Sequence, residues 1–243
     1  MRKTEIYAHR GACGYAPENT LEAFALAMEQ GADGIELDVQ LSRDGQLVVI
    51  HDETIDRVCD GTGEVRQYTL EELKQFTVSG PGGKTGRIPT LREVLELVKP
   101  SRMKVNIELK TGIFWYPEIE RLTAEETARQ GMEDRVVYSS FNHYSIQKLK
   151  EYVPKAETAY LYSDVILNVD SYAKQTGVQG LHPALYHVKM ANFLNEYQKS
   201  GLKLRVWTVN AEKDIEMLIH AGVDAVITNY PDLAVRIRDE MQK

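Results

Sequence analysis

Cysteine is scarce in this chain: there are two among 243 residues, Cys13 and Cys59. Two thiols cannot build a disulfide framework or a four-thiolate zinc site, and they suit a reducing compartment. Long apolar runs are missing as well. No stretch approaches the ~18 residues of a membrane span, and the opening MRKTEIYAHRG has no signal-peptide core. A soluble, cytoplasmic chain with no membrane insertion is expected. Nor is there an excess of positive charge: 29 Lys and Arg face 36 Asp and Glu, a formal charge of −7, with the signs interspersed. Nucleic-acid binders need basic stripes, so no nucleic-acid partner is expected, whereas one small phosphate ligand in a local basic spot remains compatible. What is present is ordinary globular material, 43% hydrophobic and 27% charged. A chain of this length buries a large core unaided, as one barrel-type domain or as two smaller domains.

Short apolar runs alternate with helical patterns. The predicted strands are Ile6–His9, Gly34–Leu41, Val105–Lys110, Val136–Ser139, Thr158–Leu161, Gly180–His182, Lys203–Val209 and Ala225–Thr228. Asn19 and Glu22 look like a capping box ahead of Leu21, Phe24, Ala25 and Met28, with Gly31 where the helix should end. Thr90 and Glu93 repeat the cap ahead of Leu91, Val94, Leu95 and Val98, and Pro100 stops that helix. Ile215, Leu218 and Ile219 form a third stripe, ended by Gly222. Residues 31–38 (GADGIELD) and 222–229 (GVDAVITN) echo each other, and 177–182 (GVQGLH) is a looser copy. This alternation implies parallel strands with helical crossovers. Eight such strands predict an α/β chain folded as a (β/α)8 TIM-type barrel, with a doubly wound open sheet as the alternative.

The run Leu47–His51 follows the second strand too closely for a parallel crossover, and Asp44-Gly45 is a hairpin signal. With those two residues as the loop, Arg43 faces Gln46 and Asp38 faces His51. Glu36, Asp38, Leu47, Val49 and His51 then share one face. Residues 52–89 lack the barrel pattern. They read as a small inserted subdomain after the second strand, over the C-terminal rim, within a single barrel domain spanning 1–243. The insertion holds one short helix near Leu70–Phe76 behind a Thr69/Glu72 cap. Its glycine-rich segment 80–86 (GPGGKTG) is not a phosphate-binding loop, because Val78 stands where the first glycine belongs and no helix pattern follows Thr85. A mobile loop is expected there.

Polar residues gather at strand ends, the active-site rim of such a barrel. Glu36, Asp38 and Glu108 interrupt strands that should be near-continuous Val, Ile and Leu. Two like charges ~4 Å apart cost about 4 kcal/mol at an effective dielectric near 20. A divalent cation removes that cost, and all-oxygen ligands favour Mg²⁺, Ca²⁺ or Mn²⁺. The competing account pairs each acid with Arg10, Lys110 or another base in a structural ion-pair network. His9 and His51 are the natural proton-transfer pair. His143, His187 and His220 look structural, and His182 ends a strand where it could line the pocket.

At these residues the sequence resembles the glycerophosphodiester phosphodiesterase family. The matching pieces are His9-Arg10-Gly11, Pro17-Glu-Asn-Thr20, Glu36-Leu-Asp38, His51-Asp52, Asp56-Arg57, Gly61-Thr-Gly63, Arg87-Ile-Pro-Thr-Leu91, Glu108-Leu-Lys110, Ser140-Phe141, Trp207-Thr-Val-Asn210 and Thr228-Asn229, in the family's order along nearly the whole chain. The resemblance implies a (β/α)8 barrel that hydrolyses a glycerophosphodiester to an alcohol and sn-glycerol 3-phosphate. It implies one divalent metal, Mg²⁺ or Ca²⁺ with Mn²⁺ as a further candidate, on Glu36, Asp38 and Glu108. It carries acid/base roles to His9 and His51, phosphate contact to Arg10 and Lys110, and pocket walls to Phe141 and Trp207. The chain departs from the family at Ser79–Gly86, where members often carry bulky aromatics ahead of the Arg-Ile-Pro-Thr element.

In the expected reaction His9 takes the nucleophile's proton and His51 protonates the leaving alcohol. The nucleophile is either the substrate's 2-hydroxyl, through a cyclic phosphate, or water. The expected partner is a small-molecule glycerophosphodiester, with a homodimer as an open option. The alternatives are a phosphodiesterase of the phospholipase C or D type, which would need an apolar rim that the sequence does not announce, and a non-catalytic barrel that binds glycerophosphodiesters.

Overall fold

The computed structural model describes residues 3–190 and 192–242; Met1 and Arg2 of the N-terminal stretch lie outside them, as does Lys243. Among the described residues eight parallel strands close on themselves: β1 (Glu5–His9), β2 (Gly34–Leu41), β3 (Lys104–Leu109), β4 (Val136–Ser140), β5 (Glu157–Tyr162), β6 (Gly180–Pro183), β7 (Lys203–Val206) and β8 (Ala225–Thr228). Closure is carried by β1, which pairs with β8 (Glu5↔Ala225) and with β2 (His9↔Glu36). The helices that follow the strands are α1 (Leu21–Glu29), α2 (Leu91–Val98), α3 (Ile119–Gln130), α4 (His143–Tyr152), α5 (Val169–Gln175), α6 (Phe193–Lys199), α7 (Glu212–Ala221) and α8 (Pro231–Met241). This is the TIM-type barrel that the strand count implies, not an open sheet.

Alternation along the strands divides the residues between two environments. Outward positions such as Ile6, Ala8, Val105, Ile107, Leu204 and Val206 are buried against the helices in two large apolar clusters. Inward positions are far more polar. The first residues of the odd-numbered strands, Glu5, Lys104, Glu157 and Lys203, form a layer of four, as alternate strands do in such barrels. Lys104 bonds Glu5 at 2.6 Å and Lys203 bonds Glu157 at 2.5 Å. Above them Arg205 also bonds Glu157 and lies 5.8 Å from the centre of the Tyr7 ring. An ion-paired plug thus closes the N-terminal end of the barrel.

Local signals fix most helix boundaries. Thr90 and Thr69 form the expected capping boxes with Glu93 and Glu72, although the second helix is only Leu70–Leu73. The cap of α1 is Thr20, not Asn19: the Thr20 hydroxyl accepts from Ala23 N–H, and Asn19 is held at φ 57° for another purpose. The β2 hairpin has a three-residue turn, with Ser42 N–H donating to Gln46 O at 3.0 Å and Gly45 at φ 74°. A type I turn followed by a left-handed residue suits glycine in the third place. The register shifts by one, to Val39↔Val49 and Leu41↔Leu47, so Leu47 and Val49 do not share the face of Glu36 and Asp38.

Residues 52–89 carry a small cluster of their own, in which Ile55, Val58, Val65, Leu73, Val78 and Ile88 pack with Val48 and Ile50. The glycine-rich segment is a hairpin rather than a free loop: Val78–Ser79 pairs antiparallel with Thr85–Gly86. Gly80 sits so close to the α1 entry that a Cβ there would lie 2.5 Å from Pro17 N.

His182 is fully buried beside Arg205 and below the barrel mouth. Burial, then the Arg205 charge, push its imidazole well below the usual range. The folded ring therefore resists a proton that the unfolded chain accepts near pH ~6.5, so stability falls as pH drops below that value. We expect His182→Gln to remove up to about 1.4 kcal/mol per pH unit of the acid-side slope, measured by urea unfolding at a series of pH values. An unchanged slope would contradict the assignment.

Candidate active site

The C-terminal strand ends bring three acids together. Oxygens of Glu36 and Asp38 on β2 and of Glu108 on β3 lie within 4.8 Å of one another, and all three side chains are buried. The register Asp38↔Glu108 places the two strands' acids side by side. The ion-pair account is partly met: Lys110 bonds Glu108 at 3.1 Å, and Arg10 Nε lies 3.5 Å from Asp38. It does not reach Glu36, which accepts the Arg10 backbone N–H at 2.9 Å and has no salt bridge among the described residues. Arg10 can present that N–H because its backbone is left-handed, φ 52°, a strained state of the kind that gathers at functional sites.

The electrostatics follow from this crowding. Burial, then the Asp38 and Glu108 charges, raise Glu36 well above the carboxylate range, and Glu108 is raised chiefly by burial. Burial pushes Asp38 the same way, but Arg10, His51 and Lys110 outweigh it and hold it down at about 2. Asn19 adds a hydrogen bond to Asp38 Oδ2 at 2.8 Å, which is why it is not spent on capping α1. Asp38 Oδ1 is buried with no hydrogen-bond partner, as are both side-chain polar atoms of Asn106. Convergent buried carboxylates with an unsatisfied oxygen are a fitting donor set for a hard divalent cation.

The two histidines face the same pocket with unlike partners. His9 Nδ1 is 2.7 Å from Asn229 Oδ1, and Asn229 is itself fixed by its N–H donating to Asn210 Oδ1 at 2.9 Å. Burial, then the Arg10 charge, lower His9 to about 4. His51 Nδ1 is 2.5 Å from Asp52 Oδ1. Arg57 braces that carboxylate at 2.6 Å and reaches Glu18 at 2.7 and 2.8 Å, and Glu18 in turn holds Arg10 at 2.9 Å. The buried Gln40 amide donates toward the carbonyls of Ile50, His51 and Asp52 at 3.0, 3.1 and 2.7 Å. Gln40, not the predicted strand register, brings His51 to the mouth.

The pocket holds about 300 Å³. His9, Arg10, Glu36, His51, Asn106 and Glu108 form one side; Phe141, Leu161, Trp207 and Ile227 form the other. The Phe141 and Trp207 rings meet edge to face at 5.5 Å. Lys110 stands behind Glu108 rather than in the wall, and His182 is buried below the floor. Asn106 was legible by alternation, two residues before Glu108. Gln40 continues the same alternation two residues after Asp38, whereas Asp52, Arg57, Asn210 and Asn229 carry no periodic signal, and their roles depend on contacts across the rim. The rim also exposes apolar side chains that the sequence did not announce, among them Trp115, Tyr144, Leu167, Tyr186 and Met190. Trp115, Leu167 and Met190 lie outside strands and helices, in segments that follow β3, β5 and β6, and Tyr144 and Tyr186 lie in the first turns of helices, where burial has no pattern to read.

Known proteins resemble the chain over its full extent. A model of the glycerophosphoryl diester phosphodiesterase family matches residues 9–233. A glycerophosphodiester phosphodiesterase of Bacillus altitudinis is 44% identical over 98% of this chain and 100% of that protein. One of Caldanaerobacter subterraneus is 43% identical over 97% of this chain and 98% of its own length. A phosphodiesterase of Oleispira antarctica, solved in complex with the product sn-glycerol-3-phosphate, superposes with a TM-score of 0.84 at 29% identity over 98% of this chain and 97% of that one. The match begins at His9 and spans every strand end that feeds the pocket: the chain belongs to the glycerophosphoryl diester phosphodiesterase family.

Proposed function

We propose that the chain is a metal-dependent hydrolase that converts glycerophosphodiesters to an alcohol and sn-glycerol 3-phosphate by acid/base catalysis from His9 and His51. The observation that carries it is the buried triad of Glu36, Asp38 and Glu108 at the mouth of a pocket that both histidines line. An Mg²⁺, Ca²⁺ or Mn²⁺ ion on those three carboxylates would cancel their repulsion and supply Lewis-acid stabilisation of the phosphate.

The protein's own groups divide the remaining work. Arg10, in the pocket wall, offers positive charge to the phosphodiester, Lys110 adds to it from its ion pair with Glu108, and the Phe141 and Trp207 rings give the substrate's carbon backbone an apolar wall. His9 has a neutral amide oxygen at Nδ1. With that nitrogen protonated, Nε2 keeps its lone pair, and a ring lowered to about 4 stays neutral at working pH and ready to accept a proton. His51 has a carboxylate at Nδ1, the natural partner of an imidazolium, which suits proton delivery to the leaving alcohol. Acid/base groups supply roughly 10²–10⁴ each, against an acceleration of about 10¹⁷ or more for phosphate esters. Charge stabilisation and positioning must therefore carry most of the barrier reduction. The two free cysteines, Cys13 and Cys59, support a reducing, cytoplasmic setting, and no helix among the described residues is long and apolar enough to cross a membrane.

Chelation with EDTA should abolish choline release from glycerophosphocholine, with recovery on adding Mg²⁺, Ca²⁺ or Mn²⁺, and Glu108→Gln should lose about 100-fold or more in kcat. Full turnover by metal-free protein rejects the scheme. In EDTA, Glu36→Gln should raise the melting temperature by about 2–4 °C per kcal/mol of relieved repulsion, while cutting activity in metal; a lower melting temperature would favour a purely structural acid cluster. Asn229→Ala should lower kcat about 10–100-fold with little change in KM, because the His9 ring loses its tautomer lock.

A further inference from the structure

We infer that Tyr116, in the loop between β3 and α3, is a positioning residue for proton delivery: through the Gln40 amide it fixes where the His51 ring stands. This rests on the hydrolase reading above, in which His51 protonates the leaving alcohol, and adds to it a group outside the pocket wall.

His51 stands beyond the end of its strand. The antiparallel strand Leu47–Val49 has stopped, so the carbonyls of residues 50–52 need partners from elsewhere. One side chain supplies them. Gln40 Nε2 lies 3.0, 3.1 and 2.7 Å from the carbonyl oxygens of Ile50, His51 and Asp52. The next carbonyl, that of Glu53, accepts the Val65 N–H at 2.9 Å. Two amide hydrogens thus serve three oxygens, which works only while the NH₂ end keeps facing them.

The two ends of an amide are nearly equal in size, so partners decide its orientation. Gln40 Oε1 accepts the Tyr116 hydroxyl at 2.9 Å. Tyr116 is 5% exposed. Burial raises its phenol above the usual range, so the hydroxyl keeps its hydrogen at working pH. Removing that hydroxyl leaves Oε1 without its donor inside the protein, the costly way to lose a hydrogen bond. Tyr116 is clamped in turn. Its ring meets Phe114 edge to face at 6.4 Å, and the Arg66 guanidinium lies 3.6 Å from the centre of the Phe114 ring. Arg66 belongs to the turn Val65–Gln67, whose first residue holds the Glu53 carbonyl. The loop that follows Glu108 and the insertion that follows His51 therefore grip each other at two points.

A general acid works only within hydrogen-bond reach of the oxygen it protonates, about 2.6–3.2 Å, and a misplacement of ~1 Å can cost about 100-fold. Glu36, Asp38, Glu108 and Arg10 make no hydrogen bond to the Gln40 amide. Loosening that amide consequently weakens one event. The bond from phosphorus to the leaving oxygen breaks, the electron pair stays on that oxygen, and the His51 proton arrives late.

The test uses two glycerophosphodiesters that differ in the leaving group, with the full chain in Mg²⁺ or Ca²⁺. Choline leaves glycerophosphocholine as a basic alkoxide that needs a proton; p-nitrophenolate leaves glycerol 3-phosphate p-nitrophenyl ester without one. Tyr116→Phe should lower kcat for glycerophosphocholine about tenfold or more with KM within about twofold, and keep p-nitrophenolate release within about twofold. On a Gln40→Met background the same change should cost nothing further, because it acts through the amide; if Gln40→Met does not fold, the two-substrate ratio decides alone. Equal loss on both substrates, no loss on glycerophosphocholine, a loss carried by KM, or full additivity with Gln40→Met overturns the inference. His51→Gln, assayed alongside, should lose more on glycerophosphocholine than on the p-nitrophenyl ester. Equal losses there remove the acid role of His51, and this inference with it, whereas failure of the wild-type protein to hydrolyse either diester removes the hydrolase reading itself.

Discussion

Repulsion among three buried carboxylates organises the mouth of this barrel. Glu36, Asp38 and Glu108 cannot all be charged, close and dry without compensation. Arg10 and Lys110 supply part of it, and Asn19 and the left-handed Arg10 N–H supply more. The compensation is incomplete, since Glu36 is pushed toward its neutral form and Asp38 Oδ1 has no partner. An acid cluster kept only for stability would be fully paired. One left short of positive charge is suited to an incoming cation.

That requirement reaches outward through the fold. Arg10 is shared between Asp38 and Glu18, Glu18 between Arg10 and Arg57, and Arg57 between Glu18 and Asp52, which holds His51. The segment after β2 is thereby tied to the acid triad by a continuous chain of charge pairs. On the opposite side the requirement ends: Phe141, Leu161, Trp207 and Ile227 form a wall with no charge to balance. The division of the pocket into charged and hydrocarbon halves suits a molecule with a phosphodiester at one end and carbon at the other.

The sequence was most legible where a residue's role follows from its own neighbours. The capping boxes at Thr69 and Thr90, and the glycine that ends α7, depend on a few adjacent positions and came out as expected. It was less legible where two local options competed. Asn19 and Thr20 are both good caps, and the choice was made by Asp38, far away in the chain, which takes the Asn19 amide. Asp44-Gly45 allowed both a two- and a three-residue turn, and the longer one shifted the register. His51 still reaches the pocket because Gln40 holds the carbonyls of residues 50–52.

By itself the sequence determined the strand and helix alternation, and with it the barrel, because burying one face of each element demands a period that is written into the residues. It also determined which residue types stand at the strand ends, acids and imidazoles where aliphatic side chains would be ordinary. Only the tertiary structure decided their pairings: an amide for His9 and a carboxylate for His51, Lys110 behind Glu108, and His182 beneath the floor. Those outcomes depend on distances between loops from different strands, and such distances exist only after the barrel has closed.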